Sequence, residues 1–214
     1  MAVPFEIEEI LQSGNETRWL EKTGPSELSD TYLFAKVARA VLSLGNLRDG
    51  GHVIIGIDDD IIPTMRPGLS EHEIESWANF DNLSDQLAVY ADPPLRFQCS
   101  AMKLSNGVSI AVISVSEFDD VPHICAKGYQ SPGQRGDDIF RKGALYERPR
   151  KKPQTSEVAN SVEMRDVIDL ATEKALRAYV STAERTGVTI VVDPKALVSQ
   201  EALFNTQKSG AWDE

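Results

Sequence analysis

Long apolar runs are missing from this sequence. No stretch of about eighteen such residues occurs, which leaves no candidate for a membrane-spanning helix. Cysteine is scarce: Cys99 and Cys125 are the two in 214 residues, and neither has a partner at metal-ligand spacing. They read as reduced thiols of an intracellular protein rather than as a disulfide frame, and no His/Cys set suits a structural zinc. A Gly-x4-Gly-Lys-Ser/Thr loop is absent, which sets aside nucleotide hydrolysis by a P-loop mechanism. The first residues lack the basic-then-apolar plan of a signal peptide, so the cytoplasm is the expected location. Positive charge is also in deficit. A formal net charge of -11 argues against a general nucleic-acid coat protein, whose affinity comes from phosphate neutralisation.

Enough apolar material is present to build a core. A hydrophobic share of 41% beside 26% charged residues is ordinary for a globular chain, and the length suits one large or two small domains. The charge is unevenly spread. Between Arg135 and Lys152, seven basic residues (Arg135, Arg141, Lys142, Arg148, Arg150, Lys151 and Lys152) face three acids, Asp137, Asp138 and Glu147. Such a strip can hold a polyanion; equally, it can be a solvated loop and linker. Tyr129, Phe140 and Tyr146 interleave with it and serve either as stacking platforms or as core anchors.

The richest segment runs from Asn46 to Asp60. A turn at Gly50-Gly51 precedes a β-branched run, His52 to Ile57, which ends in Asp58, Asp59 and Asp60. A continuous apolar run of that length fits a strand buried on both faces, with its acids at the rim of the sheet. Upstream, Glu16 and Glu21 stand five apart. Brought together, these carboxylates would form an oxygen-rich pocket for a hard divalent cation. Apart, they are turn formers and helix caps.

The elements around them follow from periodicity and punctuation. A short helix is expected over 5–12, with Phe5, Ile10 and Leu11 packing and Gly14 as its stop. A strand is expected over 16–22 with Trp19 as anchor. The best-marked helix starts at Ser29 or Asp30 and ends at Leu44 before Gly45-Asn46. Another should run from Ser70 to about Tyr90, broken near Asn79–Asn82. Strands Leu95–Lys103 and Ser109–Val115 flank Ser105-Asn106-Gly107 and predict a hairpin; Ile139–Lys142 predicts a further strand after a loop over 127–137. Residues 157–185 have helical spacing up to Gly187, then a short strand (188–192), a helix (194–204) and a polar tail. Glu6, Glu8 and Glu9 read as a solvated helix face. Among the histidines, His52 reads as a core residue and His72 as a surface one, which leaves His123, beside Pro122 in a loop, as the one to test.

The order of these pieces resembles the Schlafen AlbA-type domain, a module labelled DNA-binding or divergent ATPase. The resemblance rests on Glu16-Thr-Arg-Trp-Leu-Glu21-Lys22, on Leu42 to Asn46 leading to Gly50-Gly51, on Gly56-Ile-Asp58-Asp59 and on Ile139-Phe-Arg141-Lys-Gly143. It covers roughly 14–165. Lys22 follows Glu21 directly, where the family places its lysine two positions on, and the turn into Gly50 is longer than usual. The resemblance implies an α+β fold, a mixed twisted β-sheet flanked by helices. It also implies an N-terminal helix over 1–13, the AlbA-like domain over 14–165 and a helical extension with a polar tail over 166–214.

In nuclease members of that group an acidic site cleaves RNA with a divalent metal. Carried over residue by residue, the catalytic set is Glu16, Glu21 and Asp59, with Asp58 as a further metal ligand and Mg²⁺ or Mn²⁺ as the implied cofactor. Arg18, Lys22, Arg141, Lys142, Arg148 and Arg150 are the expected nucleic-acid contacts, RNA favoured over DNA. The implied role is an endoribonuclease-like effector in bacterial defence or stress response. The alternative is a non-catalytic nucleic-acid-binding or protein-assembly module. Residues after Val167 match nothing in the resemblance and are read as an element for a homo-oligomer or a protein partner; no membrane is expected.

Overall fold

Helix formation is most strongly specified at Asp30. Its carboxylate accepts from the N–H groups of Tyr32 (3.0 Å) and Leu33 (3.1 Å), capping α2 (Thr31–Gly45). The helix buries Phe34, Val37, Val41 and Leu44 along one face and ends at Asn46. Asn46 closes more than the helix. Its Nδ2 donates to the carbonyls of His123 (2.8 Å) and Tyr146 (3.0 Å), and its Oδ1 accepts from His123 N (2.8 Å). The chain then turns through Gly50 (φ 70°), where a Cβ would stand 2.0 Å from the carbonyl oxygen of Val115, so no larger residue fits that turn.

That turn launches β2 (Gly51–Ile55), which lies between β1 (Leu20–Thr23) and β5 (Ser109–Val115). The β1–β2 pair is parallel, in the register Leu20↔His52 and Glu21↔Val53. β2 and β5 are antiparallel, as are β5 and β4 (Phe97–Lys103), joined by the hairpin predicted at Asn106-Gly107. The architecture is therefore α+β, a mixed sheet in the order β1-β2-β5-β4 with helices packed on it. Strand alternation separates two cores. Val53, Ile55, Ala111 and Ile113 pack with α2, whereas Leu20, Ile54, Ile110 and Val112 pack with Ile7 and Leu11 of α1 (Pro4–Ser13). Glu8 of that helix is not merely solvated: it accepts from Ser105 N (2.9 Å) and Ser105 Oγ.

The predicted break in the second helical segment is real. α3 (Glu71–Ala78) opens on a Ser70–Glu73 capping box, and Asn79 both ends it and caps α4 (Phe80–Ala88) by accepting from Asn82 N. Three small two-stranded pieces follow: β3 (Ala91–Asp92) with β6 (Ile124–Cys125), β7 (Tyr129–Gln130) with β8 (Asp138–Phe140), and β9 (Tyr146–Glu147) with β10 (Ser156–Glu157). Two expectations shift here. Tyr129 and Gln130 form a strand inside the expected loop, and the strand expected over Ile139–Lys142 stops at Phe140. The reason for the second is a turn at Gly143 (φ 81°), in which Ala144 N bonds the Arg141 carbonyl (3.1 Å).

α5 (Ser161–Thr186) starts within a first compact unit that ends at Thr172, where Val167 and Leu170 pack against Phe118. The second unit begins at Glu173; its described part is the last turns of α5, with Glu173 and Arg177 paired along the helix and Leu176 and Tyr179 exposed. The computed structural model describes residues 4–13, 17–57, 68–130, 138–150 and 154–188. The expected helix over 194–204, the tail and all but the first residue of the strand over 188–192 lie outside them. Among the described residues, no helix is long and apolar enough to cross a membrane.

Candidate functional site

The parallel β1–β2 register decides where Glu21 goes. Leu20 turns towards α1, so Glu21, its neighbour, turns to the opposite face with Val53 and the flank of α2. There it lines a cleft of about 460 Å³ with Lys22, Asp30, Lys36, Val37 and Val53. Lys36 lies one turn into α2, with its Nζ 4.6 Å from the ring centre of Tyr32.

Arg148 reaches this strand from far along the chain. It is 2% exposed, and its guanidinium donates to Glu21 Oε2 and to the Leu20 carbonyl (3.1 Å). Its own carbonyl accepts from Arg18 Nε. This corrects the expectation for Arg148: its guanidinium is committed inside the protein, so it orients Glu21 rather than meeting a phosphate at the surface. A buried charge survives only with such partners, and it finds them in a carboxylate and a strand-edge carbonyl.

A second cavity of about 220 Å³ is lined by Arg18, Arg48, Glu147, Arg150, Asp166 and Asp169. Asp166 pairs with Arg18 (3.8 Å) and Arg150 (3.2 Å). Glu147 is 3% exposed, and its Oε1 is buried with no hydrogen-bond partner. Burial pushes its carboxyl up to about 7; Arg18 opposes that rise, whereas Glu163 and Asp166 add to it. Burial likewise lowers the Arg18 guanidinium from its ordinary value.

Of the carboxylates expected to share a cation, Glu21 is the one described; Glu16, Asp58 and Asp59 lie outside the described residues. Among those described, no group of three His, Cys, Asp or Glu side chains is arranged to hold a metal. The expected nucleic-acid contacts divide. Lys142 is exposed; Arg141 pairs with Glu157 and Arg150 with Asp166, so both cations have acidic neighbours. Arg18 is half-buried between Asp166 and the Arg148 carbonyl.

His123 is a core residue: it is buried, its Nδ1 lies 2.8 Å from the Pro93 carbonyl, and burial lowers its pKa. His52 is half-buried rather than a core residue and meets Ser114 Oγ at 3.0 Å, while His72 is exposed, as expected. Lys36 and Glu147 were not singled out from the sequence. Lys36 had a signal, its place one turn from the α2 cap. Glu147 had none, because an acid inside a basic run gives no sign of burial.

No protein-family model matches the chain, and no curated protein does. Among solved structures, the chain is similar to the DIP2311 protein from Corynebacterium diphtheriae, a structural-genomics target, with 17% identity and a TM-score of 0.46. The likeness covers 74% of this chain but 27% of that protein, so the chain spans about a quarter of its length.

Proposed function

We propose that the chain is a divalent-metal-dependent nuclease of the Schlafen AlbA type, acting on RNA ahead of DNA, with Glu21 as one of its metal-holding carboxylates. The observation that carries this reading is the setting of Glu21. It sits on a strand next to an open cleft, beside Lys22 and Lys36, in an orientation held by a buried arginine. A carboxylate has two oxygens, and pairing through Oε2 leaves Oε1 for a cation. Glu16, Asp58 and Asp59 complete the ligand set through the resemblance. Mg²⁺ or Mn²⁺, when bound, supplies an activated water and offsets charge on the reacting phosphate. Lys22 and Lys36 steady that phosphate in the cleft, and Arg148 keeps Glu21 from swinging away. Arg141, Lys142 and Arg150 serve the flanking backbone. A cytoplasmic role in bacterial defence or stress response belongs to the same proposal.

The test is Glu21→Gln. Gln keeps the volume and an acceptor for Arg148 but removes the charge that holds a hard cation. Mg²⁺- or Mn²⁺-dependent cleavage of structured RNA should fall about a hundredfold or more, with RNA binding retained. Wild-type protein that shows no metal-stimulated cleavage of any RNA or DNA overturns the reading.

A second reading, a non-catalytic nucleic-acid-binding or protein-assembly module, is favoured by one observation. Arg148 closes on both Glu21 and the Leu20 carbonyl, as a purely structural ion pair would. Under that reading, Arg141→Glu, Lys142→Glu and Arg150→Glu together weaken RNA binding and flatten its salt dependence while no cleavage is ever seen.

A further inference from the structure

A cavity of about 500 Å³ in the first compact unit belongs to neither charge network. It lies across the start of α2 from the Glu21 cleft: Leu28, Ser29, Thr31 and Phe34 line it, whereas Ser26, Asp30, Leu33 and Lys36 line the other. Its volume falls within the range of small-molecule pockets.

One wall is aromatic and firmly backed. Phe34 stacks on Trp77 (6.3 Å between ring centres) and lies 6.1 Å from Tyr90. Tyr90 stands edge-on to the buried Phe140 (4.9 Å), which also supports Tyr129 (6.3 Å). The Tyr129 hydroxyl is tied to Thr31 Oγ1 (3.1 Å), fixing its ring over the start of the helix. Rings held this way offer flat apolar surface at little entropic cost, which suits a planar ligand.

The polar groups are few and convergent. Asn82 and Gln86 lie one turn apart on α4, joined by a bond from Gln86 Nε2 to Asn82 Oδ1 (3.0 Å). That bond consumes one donor and one acceptor. It leaves the Asn82 amide nitrogen as a donor and the Gln86 carbonyl as an acceptor, both on side chains that line the cavity. An adjacent donor and acceptor is the complement of the Watson–Crick edge of a nucleobase. Among the described lining residues Lys127 is the one charged group, with its Nζ 6.0 Å from the ring centre of Tyr90. A single cation with no acid among those described lining residues favours a ligand carrying a single phosphate. It does not suit a triphosphate, whose further charges would meet no partner.

We propose that this cavity binds a nucleoside monophosphate. The base lies against the Tyr90–Tyr129 wall with its edge on Asn82 and Gln86, and the phosphate meets Lys127. The inference is independent of the nuclease reading, because neither Glu21 nor any basic-strip residue named above lines the cavity.

Calorimetric titration of the full chain tests it with AMP, adenosine, ribose 5-phosphate and inorganic phosphate as probes. AMP should bind saturably at one site, with adenosine and ribose 5-phosphate each about tenfold weaker or more, as expected when a charge-assisted bond or a stacked base is lost. Lys127→Ala should lower AMP affinity to the adenosine level and leave adenosine unchanged, and Gln86→Leu should weaken both. Both side chains reach the surface, and thermal unfolding of each variant checks that the fold is intact. Three results overturn the proposal: no saturable binding of AMP, equal affinity for AMP and inorganic phosphate, or an equal loss of AMP and adenosine affinity in Lys127→Ala.

Discussion

Glu21 and Glu147 are neighbours of one arginine, the first in space and the second in sequence, and they end in opposite conditions. Glu147 precedes Arg148 in the chain, yet the guanidinium turns away from it to Glu21. Glu21 thereby has a charged partner and an opening to solvent along the cleft. Glu147 has burial, an unpartnered oxygen and a carboxyl raised to about 7. Neighbourhood in sequence did not decide the pairing. The strand did, because the Leu20 carbonyl gives Arg148 a second acceptor beside Glu21.

Removing the arginine breaks the comparison most severely. Arg148→Ala leaves the Leu20 carbonyl and Glu21 without their donor and should cost about 3 kcal/mol of stability, read as a shift in the urea midpoint at constant slope. A loss within 0.5 kcal/mol would mean that the guanidinium is dispensable to the fold. That would remove the positioning role given to it.

The next largest effect lies on Glu147 and depends on pH. Its folded value, about 7, is above the ordinary 4.5, so folding takes up a proton. The stability this contributes is complete below the unfolded value and is lost as pH rises towards 7. Glu147→Gln removes the charge that is costly at high pH. It should stabilise the protein by about 2 kcal/mol at pH 8 and by almost nothing at pH 4, seen in denaturation curves at the two values. Equal effects at both would show that Glu147 does not titrate in this window.

A smaller change sharpens the contrast from the helix side of the cleft. Asp30 lines the same cleft as Glu21, but its carboxylate is spent on two α2 N–H groups. Asp30→Ala should therefore cost about 1 kcal/mol, independent of Mg²⁺. Mg²⁺-dependent stabilisation present in the wild type and lost in this variant would reveal a ligand role that the cap hides. Asp166→Asn is the mildest. Its ion pairs with Arg18 and Arg150 are partly exposed, so stability should fall by less than about 1 kcal/mol. The Glu147 midpoint should move down, since a negative neighbour is lost and the arginines are released. A carboxyl-carbon NMR titration reads that shift directly.

Local chemistry was legible in the sequence; distant pairing was not. The Asp30 cap, the break at Asn79 and the hairpin at Gly107 follow from residues within a few positions of each other, and all three are in the structure. The acidic partners of the basic strip lie beyond the window over which its charge is counted. Arg141 and Arg150 find Glu157 and Asp166 just outside it, and Arg148 finds Glu21 on the far side of the sheet sequence. The same limit explains Glu147, whose burial depends on α5 and on the segment around Asn46, neither readable from its neighbours. The acidic run at Asp58–Asp60 was the strongest chemical signal in the sequence, and it lies outside the described residues.

The Asn46 side chain carries a consequence for the order in which the protein is made. Its bonds reach His123 and Tyr146, 77 and 100 residues downstream. Synthesis proceeds from the amino end, so α2 emerges with that amide still solvated, and its last acceptor follows after roughly 5–20 s. Until then the end of α2 is unfinished, whatever the helix itself has achieved. A nascent chain released before Tyr146 must either leave a buried amide short of an acceptor or keep the end of α2 open to water. Truncations just upstream of that residue should therefore be degraded out of proportion to the few residues they lack.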